Sequence, residues 1–359
     1  MAVRLRDVAL AAGVSTATVS LALSGNPRIS AETTARVVEM ADRLGYQPHA
    51  GARSLRTDST GSLGLVVGDV ANPFFADLAG AIQRLAARAG FSIMLCNCDE
   101  DPVRQDEYLR SLLAARRVDG IILVPTAGLT PGLRAAGEAR QRVVFLDRPL
   151  EVSGGDAAEE YLAGCPVVRC APDRAFADTA ELLAGFGHRR VGVIAPPPET
   201  LIGRERRDML LAALAAVGIG GDAIRVVAGD FRQDSGQRAI ARLLGADDGG
   251  GGGGAAPTAL VALSGPMAIG AMKGLRASGI RVPAQVSLIG FDDAPWFELL
   301  DPPLTAIAQP VAALAAAAVR SMVGLLSGEP AAAGPVDTRP ACRLVRRGSC
   351  GPPAEAAGN

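Results

Sequence analysis

The stretch LRDVALAAGVSTATVSLAL, residues 5–23, decides how the rest of the chain is read. Leu5, Val8, Ala9 and Ala12 recur at i, i+3, i+4 and i+7, which lays one apolar stripe along a first helix. Gly13 suits the left-handed residue that ends such a helix, and Val14 can plug the turn. Ser15 is placed to cap a second helix, Thr16–Leu23, that turns Val19, Ala22 and Leu23 inward. Thr16, Ala17, Ser20 and Leu21 are left on its outer, N-terminal face. A third helix starts at the Ser30 cap with Glu32 in its first turn, buries Val37, Ala41 and Leu44, and stops at Gly45. Two helices across a short turn, braced by a third, form a helix-turn-helix whose second helix has the width to enter a DNA major groove. On spacing alone, a small three-helix bundle with another role is the alternative.

From Ser62 onward the pattern changes to apolar strands alternating with helices. Residues 61–68 (GSLGLVVG), Phe91–Leu95, Gly120–Val124 and Val143–Leu146 read as buried strands, with helices at 75–89, 102–116 and 132–140. A second series begins near Cys165, with strands at Val191–Ala195, Ile224–Ala228, Ala259–Leu263 and Ser287–Gly290 and helices at 175–186, 204–217, 234–244 and 267–278. Such alternation implies two doubly wound parallel-sheet lobes of α/β type, with a ligand cleft between them. The domain reading is a headpiece at 1–46, a hinge at 47–57, a core at 58–350 and a flexible tail at 351–359. Within the core, lobe 1 is expected over about 61–164 plus 293–322 and lobe 2 over about 165–292 plus 323–348. Residues 245–257 read as a flexible glycine loop.

Composition narrows the class. At 359 residues and 49% apolar content the chain can bury sizeable cores, and a net charge of −1 supplies no global field for nucleic acid or membrane. Binding to DNA must therefore be local. Residues 1–57 carry seven arginines against four carboxylates, a modest excess, so two headpieces on one palindromic site are expected. The charged N-terminus lacks the apolar run of a secretory signal, and the uncharged stretches near 249–272 and 302–319 are broken by Gly, Pro or Gln, so a cytoplasmic protein without membrane spans is expected. Six scattered cysteines and two distant histidines, His49 and His188, give no metal-site spacing, and no metal or other cofactor is expected. No GxGxxG follows the first strand, and neither a P-loop nor a GxSxG elbow is present; Gly185-Phe-Gly187-His188 is too short for a cofactor fingerprint. An enzyme on a doubly wound scaffold is thereby the least favoured reading.

Residues 3–56, VRLRDVALAAGVSTATVSLALSGNPRISAETTARVVEMADRLGYQPHAGARSLR, resemble the DNA-binding headpiece and hinge of the LacI/GalR family of bacterial transcriptional regulators. The resemblance places Thr16, Ala17, Ser20 and Leu21 at base-reading positions and Arg4, Ser15, Thr18, Ser24 and Ser30 at backbone-contacting ones. Hydroxyls and arginines can fix register on phosphate oxygens. Ala17 and Leu21 have no hydrogen-bonding side chain, so their readout would rest on thymine methyls. In the hinge, Pro48 suits a helix start and Gly51 weakens the helix, and the resemblance implies that Arg53, Leu55 and Arg56 meet the minor groove, with Leu55 as the apolar wedge.

The resemblance continues more sparsely to about residue 350, through GLVVGDVANPFFADLAGAI (64–82), RRVDGIILVP (116–125), GHRRVGVI (187–194), RVPAQVSLIGFDDAPW (281–296) and PPLTAIAQP (302–310). It implies a periplasmic-binding-protein-like core and an effector site built from Asp69, Asn72, Phe74, Phe75, Arg148, Arg206, Asp292 and Trp296. Carboxylate, guanidinium and aromatic groups together suit a sugar or related polyol. Cys170-Ala171 and Ser264-Gly265 replace polar pairs that many relatives carry. The functional expectation is a homodimeric repressor whose affinity for double-stranded operator DNA is controlled by a small molecule. The alternative is a regulator whose core answers to a protein partner or to no ligand.

Overall fold

A computed structural model describes residues 3–23, 26–46, 59–114, 116–152, 154–245, 255–328 and 339–354. They divide into two compact units, one up to Thr60 and one from Gly61. In the first, α1 (Leu5–Ala12), α2 (Thr16–Leu23) and α3 (Ala31–Leu44) close around Val8, Ala12, Val19, Ala22, Val37 and Ala41. Gly13 adopts φ 66°, and the chain reversal lets Val14 N donate to Ala9 O at 3.0 Å. Leu44, expected inside, is 39% exposed. Gly45 turns the chain just beyond it, so Tyr46 packs on the small core instead.

The second unit holds two sheets. The first runs β2-β1-β3-β4-β5, wholly parallel, from β1 (Ser62–Val67), β2 (Ser92–Asn97), β3 (Gly120–Leu123), β4 (Val143–Leu146) and β5 (Val167–Val168). The second runs β11-β10-β9-β8-β6-β7, from β6 (Val191–Ala195), β7 (Ile224–Ala228), β8 (Ala259–Ala262), β9 (Ser287–Phe291), β10 (Thr305–Ala308) and an antiparallel β11 (Arg343–Val345). β3, β4, β8 and β9 are buried along their whole length, as the apolar runs require when helices cover both faces. The helices are α4 (Pro73–Arg88), α5 (Pro102–Ala114), α6 (Pro131–Glu138), α7 (Ala157–Ala163), α8 (Asp173–Gly185), α9 (Leu201–Ala216), α10 (Gln233–Leu244), α11 (Gly265–Ala277) and α12 (Val311–Ser327). At the contact between α10 and α11 only glycine fits. A Cβ on Gly270 would stand 1.9 Å from the Gln233 carbonyl oxygen, and one on Gly236 would stand 2.1 Å from that of Met267.

The lobe boundaries differ from those drawn on the sequence. β5 completes the first sheet although it follows residue 164, and Pro295–Leu299 and β10 belong to the second lobe rather than the first. α12 packs on α4, β3 and β4 of the first lobe, and near its end Leu325 O accepts from Arg142 Nε at 3.2 Å. The chain therefore changes lobe near residues 169–172, 309–310 and 339–342. Two of these crossovers are bonded to each other, with Ala171 N donating to Pro340 O at 3.0 Å and Cys342 N to Ala171 O at 2.9 Å.

The expected tail at 351–359 starts one residue too early at least, because Gly351 is docked together with Ser349. Ser349 Oγ accepts from Thr305 N at 2.8 Å and donates to Leu288 O at 2.6 Å. The Gly351 carbonyl accepts from His188 Nε2 at 2.9 Å, while Thr258 Oγ1 lies 2.9 Å from the other ring nitrogen. Burial of this imidazole lowers its pKa, with the Gly351 carbonyl opposing that effect. The unfolded chain therefore takes up the proton first as pH falls, so the contribution of His188 to stability is present above about pH 6.5 and is lost below it. Thermal melts between about pH 7.5 and 5.5 should show Tm falling with acidity, and His188→Gln should flatten that slope. An unchanged slope in the variant would refute the assignment.

Candidate nucleic-acid interface and interlobe cleft

On the headpiece, Ser15 Oγ accepts from Thr18 N at 3.0 Å and lies 2.9 Å from Thr18 Oγ1, so the α2 start carries a capped pair of hydroxyls. Thr16 and Ala17 are exposed, whereas Ser20 and Leu21 are half-buried. Arg4 and Ser15 are exposed and Thr18 is half-buried. Ser30 is exposed but its hydroxyl is committed to capping α3, accepting from Thr33 N at 3.2 Å and donating to Thr33 Oγ1 at 2.9 Å. Ser24, Arg53, Leu55 and Arg56 lie outside the described residues.

In the core, the organising groups sit at two equivalent strand ends. β4 and β9 occupy the same place in their sheets, and each is followed at once by a carboxylate, Asp147 and Asp292. Both aspartates take left-handed backbone conformations, φ 63° and 60°, the kind of local strain that collects at functional sites. Arg206, in the second turn of α9, reaches across from the second lobe. Its Nη2 lies 3.2 Å from Asp147 Oδ1, its Nη1 donates to Leu263 O at 3.4 Å, and its guanidinium stacks 4.3 Å from the Phe291 ring centre. Burial pushes the Asp147 carboxyl up, while Arg206 and Arg148 pull it back towards ionisation. Asp292 Oδ1 accepts from Gln309 Nε2 at 2.6 Å, and Gln309 Oε1 accepts from the Cys170 thiol at 3.0 Å. Ser264 Oγ, at the start of α11, is the one buried side-chain oxygen or nitrogen among the described residues that lacks a partner.

A cavity of about 480 Å³ opens beside Asp147 and Arg206, walled by Cys170, Ile202, Met209 and Arg339. A smaller one of about 50 Å³ lies next to it, sharing Leu201 and Ile202 and reaching Arg148. The structure pairs Arg206 with Asp147 and Asp292 with Gln309, and it distributes the other expected residues away from the larger cavity. Arg148 is 5% exposed and turned away from the larger cavity, because Glu100 binds it at 2.6 and 2.7 Å. Phe74 and Phe75 are buried among the apolar core. Asp69 and Asn72 spend their side chains on local turns, accepting from Ala71 N at 2.8 Å and Phe74 N at 3.1 Å. Trp296 stands 43% exposed, edge-on to Phe297, and lines neither cavity. Asp147, Glu100 and Gln309 escaped the sequence reading. A signal for Asp147 was present, since Leu146-Asp147 and Phe291-Asp292 both close an apolar strand with aspartate.

A capped helix-turn-helix ahead of a two-lobed α/β core with a buried polar cleft defines a DNA-binding regulator with a ligand-binding core. Residues 4–49 match the model of bacterial regulatory proteins of the lacI family, and residues 180–350 match that of the periplasmic binding protein-like domain. The chain is 30% identical over 348 residues to the HTH-type transcriptional repressor CytR of Escherichia coli K12, covering 97% of this chain and 96% of that protein. It resembles the Lac repressor bound to ONPG in its repressed state with a TM-score of 0.78 at 25% identity, covering 97% and 100% of the two chains. For the regulator CelR in complex with cellobiose the TM-score is 0.67 at 28% identity, covering 97% and 99%. The chain belongs to the LacI family of bacterial regulatory proteins; it is a transcriptional regulator, not an enzyme. Among the described residues, no single helix is long and apolar enough to cross a membrane.

The Arg206–Asp147 pair is buried at both ends, which makes its loss costly. Asp147→Ala leaves a guanidinium without a counter-charge and should destabilise the core by about 3–5 kcal/mol in urea unfolding. The double variant Asp147→Leu/Arg206→Met should recover most of that loss. A single variant as stable as the parent would show the pair to be incidental.

Proposed function

We propose that this protein is a cytoplasmic repressor that binds a palindromic operator as a homodimer and changes its DNA affinity when a neutral, hydroxyl-rich small molecule occupies the interlobe cleft. The observation that carries the DNA half is the exposed, hydroxyl-bearing start of α2, with Thr16 and Ala17 outermost. Ser15 and Thr18 would meet phosphate, with Arg4 beside them, and Thr16, Ala17, Ser20 and Leu21 would meet base edges. Arg53, Leu55 and Arg56 would enter the minor groove between half-sites. Support for the dimer comes from β2, an outer strand of its sheet with Met94 and Leu95 exposed, and from Val103, exposed at the start of α5.

The cleft half rests on Ser264. A buried hydroxyl without a partner is costly, and Ser264 follows Leu263, whose carbonyl Arg206 holds, so a polyol hydroxyl reaching past Arg206 from the larger cavity would satisfy it. Two structural neighbours carry ONPG and cellobiose, which favours the same class of ligand here. One observation favours a second reading, in which the core answers to a protein or to no ligand. The cleft's guanidiniums are already matched by carboxylates of the chain itself.

Selection of bound duplexes from a random library tests the first half. The full chain should enrich one palindrome, and a chain lacking residues 1–57 should enrich none. On that palindrome Leu55→Ala should weaken binding roughly tenfold or more, about 1.4 kcal/mol, at fixed salt. Unchanged affinity would remove the wedge. A panel of neutral sugars added to the same titration should shift the affinity of the full chain, and a panel without effect would favour the second reading.

A further inference from the structure

The loop after β2 is built at some cost to deliver one carboxylate. Asp99 and Glu100 are consecutive non-glycine residues in the left-handed region, φ 55° and 53°. Gly68 makes room for them, since a Cβ there would lie 2.3 Å from Glu100 Oε1. Glu100 N donates to Gly68 O at 2.8 Å, which fixes the turn. The carboxylate so placed grips Arg148 through both terminal nitrogens, and Arg148 Nη1 also lies 3.3 Å from Pro125 O. The guanidinium faces are occupied too, by Phe75 at 5.7 Å and by Phe231 of the other lobe at 4.3 Å. Phe231 is itself left-handed, at φ 66°, and its neighbour Arg232 donates to Asp99 O at 2.7 Å across the cleft. Equivalent loops of the two lobes, after β2 and after β7, thus meet over one neutralised cation.

Three of the other four arginines lining the cleft are treated the same way. Arg206 is held by Asp147, Arg169 by Glu205 at 2.6 Å and Arg204 by Glu151 at 2.7 Å. The two cavities are lined by five arginines and six acidic residues, and Asp292 lies just beyond them with its carboxylate facing Gln309. An anion entering here would find each of these four guanidiniums taken and carboxylates on both sides, the repulsive half of a specificity device.

We infer that Glu100 sets the charge class of the effector: by occupying Arg148 it reserves the cleft for neutral or cationic hydroxyl-bearing molecules and closes it to phosphate esters and carboxylates. This rests on the reading of the cleft as an effector site. Inorganic phosphate is the probe, in melts of the full chain at constant ionic strength. The wild type and the double variant Glu100→Gln/Arg148→Gln, which removes both charges together, should respond to phosphate identically. Glu100→Gln alone, which frees Arg148, should show an additional rise of about 2–4 °C at phosphate near tenfold its dissociation constant. A wild type more phosphate-responsive than the double variant would overturn the proposal, and so would a Glu100→Gln response no steeper than the double variant's. Should Glu100→Gln alone fail to fold, the comparison of wild type with double variant still decides whether Arg148 takes an anion. Titration of neutral sugars into the wild type reports separately on the effector reading, so each can fail without the other.

Discussion

A guanidinium taken out of water needs a carboxylate, and in this core Arg206 finds its partner, Asp147, on the opposite lobe. That pair ties the packing of one lobe to that of the other. It lies where two doubly wound sheets present equivalent strand ends to each other, close to the crossovers that join them. Separating the lobes would expose both charges to water and end their attraction, so the interlobe equilibrium depends on how these groups are paired. A ligand that pairs with them differently in two arrangements has the means to shift that equilibrium, and one that treats both alike has none.

The headpiece obeys a simpler physics. Its small core is built from residues close in sequence, and its turn is enforced by one left-handed glycine. This is why it was legible from residues 5–23: the stripe, the glycine and the serine cap are all local signals. The strands of the two sheets were legible for the same reason, being short apolar runs between helical patterns. What failed to show in the sequence was non-local or of low contrast. α12, VAALAAAAVRSMVGLLS, is so uniformly apolar that it offers little amphipathic pattern, and β5 and β11 are only two and three residues long. The lobe boundaries went astray because the chain changes lobe three times, and the bonds tying residue 171 to residues 340 and 342 carry no sequence signature.

The cleft divides in the same way. Arg206 and Asp292 could be placed by resemblance, and each is buried with a partner of its own, Asp147 for the one and Gln309 for the other. Arg148 could be placed but its role could not, because the carboxylate that holds it is 48 residues away. Asn72 was read as a ligand group on the strength of its loop, yet a short amide at a helix start is most readily satisfied by the helix itself.

In the proposed function, cleft occupancy and DNA binding are one coupled equilibrium. Its most direct test is a thermodynamic cycle on the full chain. Operator affinity is measured by fluorescence anisotropy with and without a saturating sugar, and sugar affinity by calorimetry with and without operator, all at one salt concentration. Linkage requires the two ratios to be equal, and the account predicts a common factor of about 5–150. A sugar that binds with measurable heat yet leaves operator affinity unmoved would contradict it.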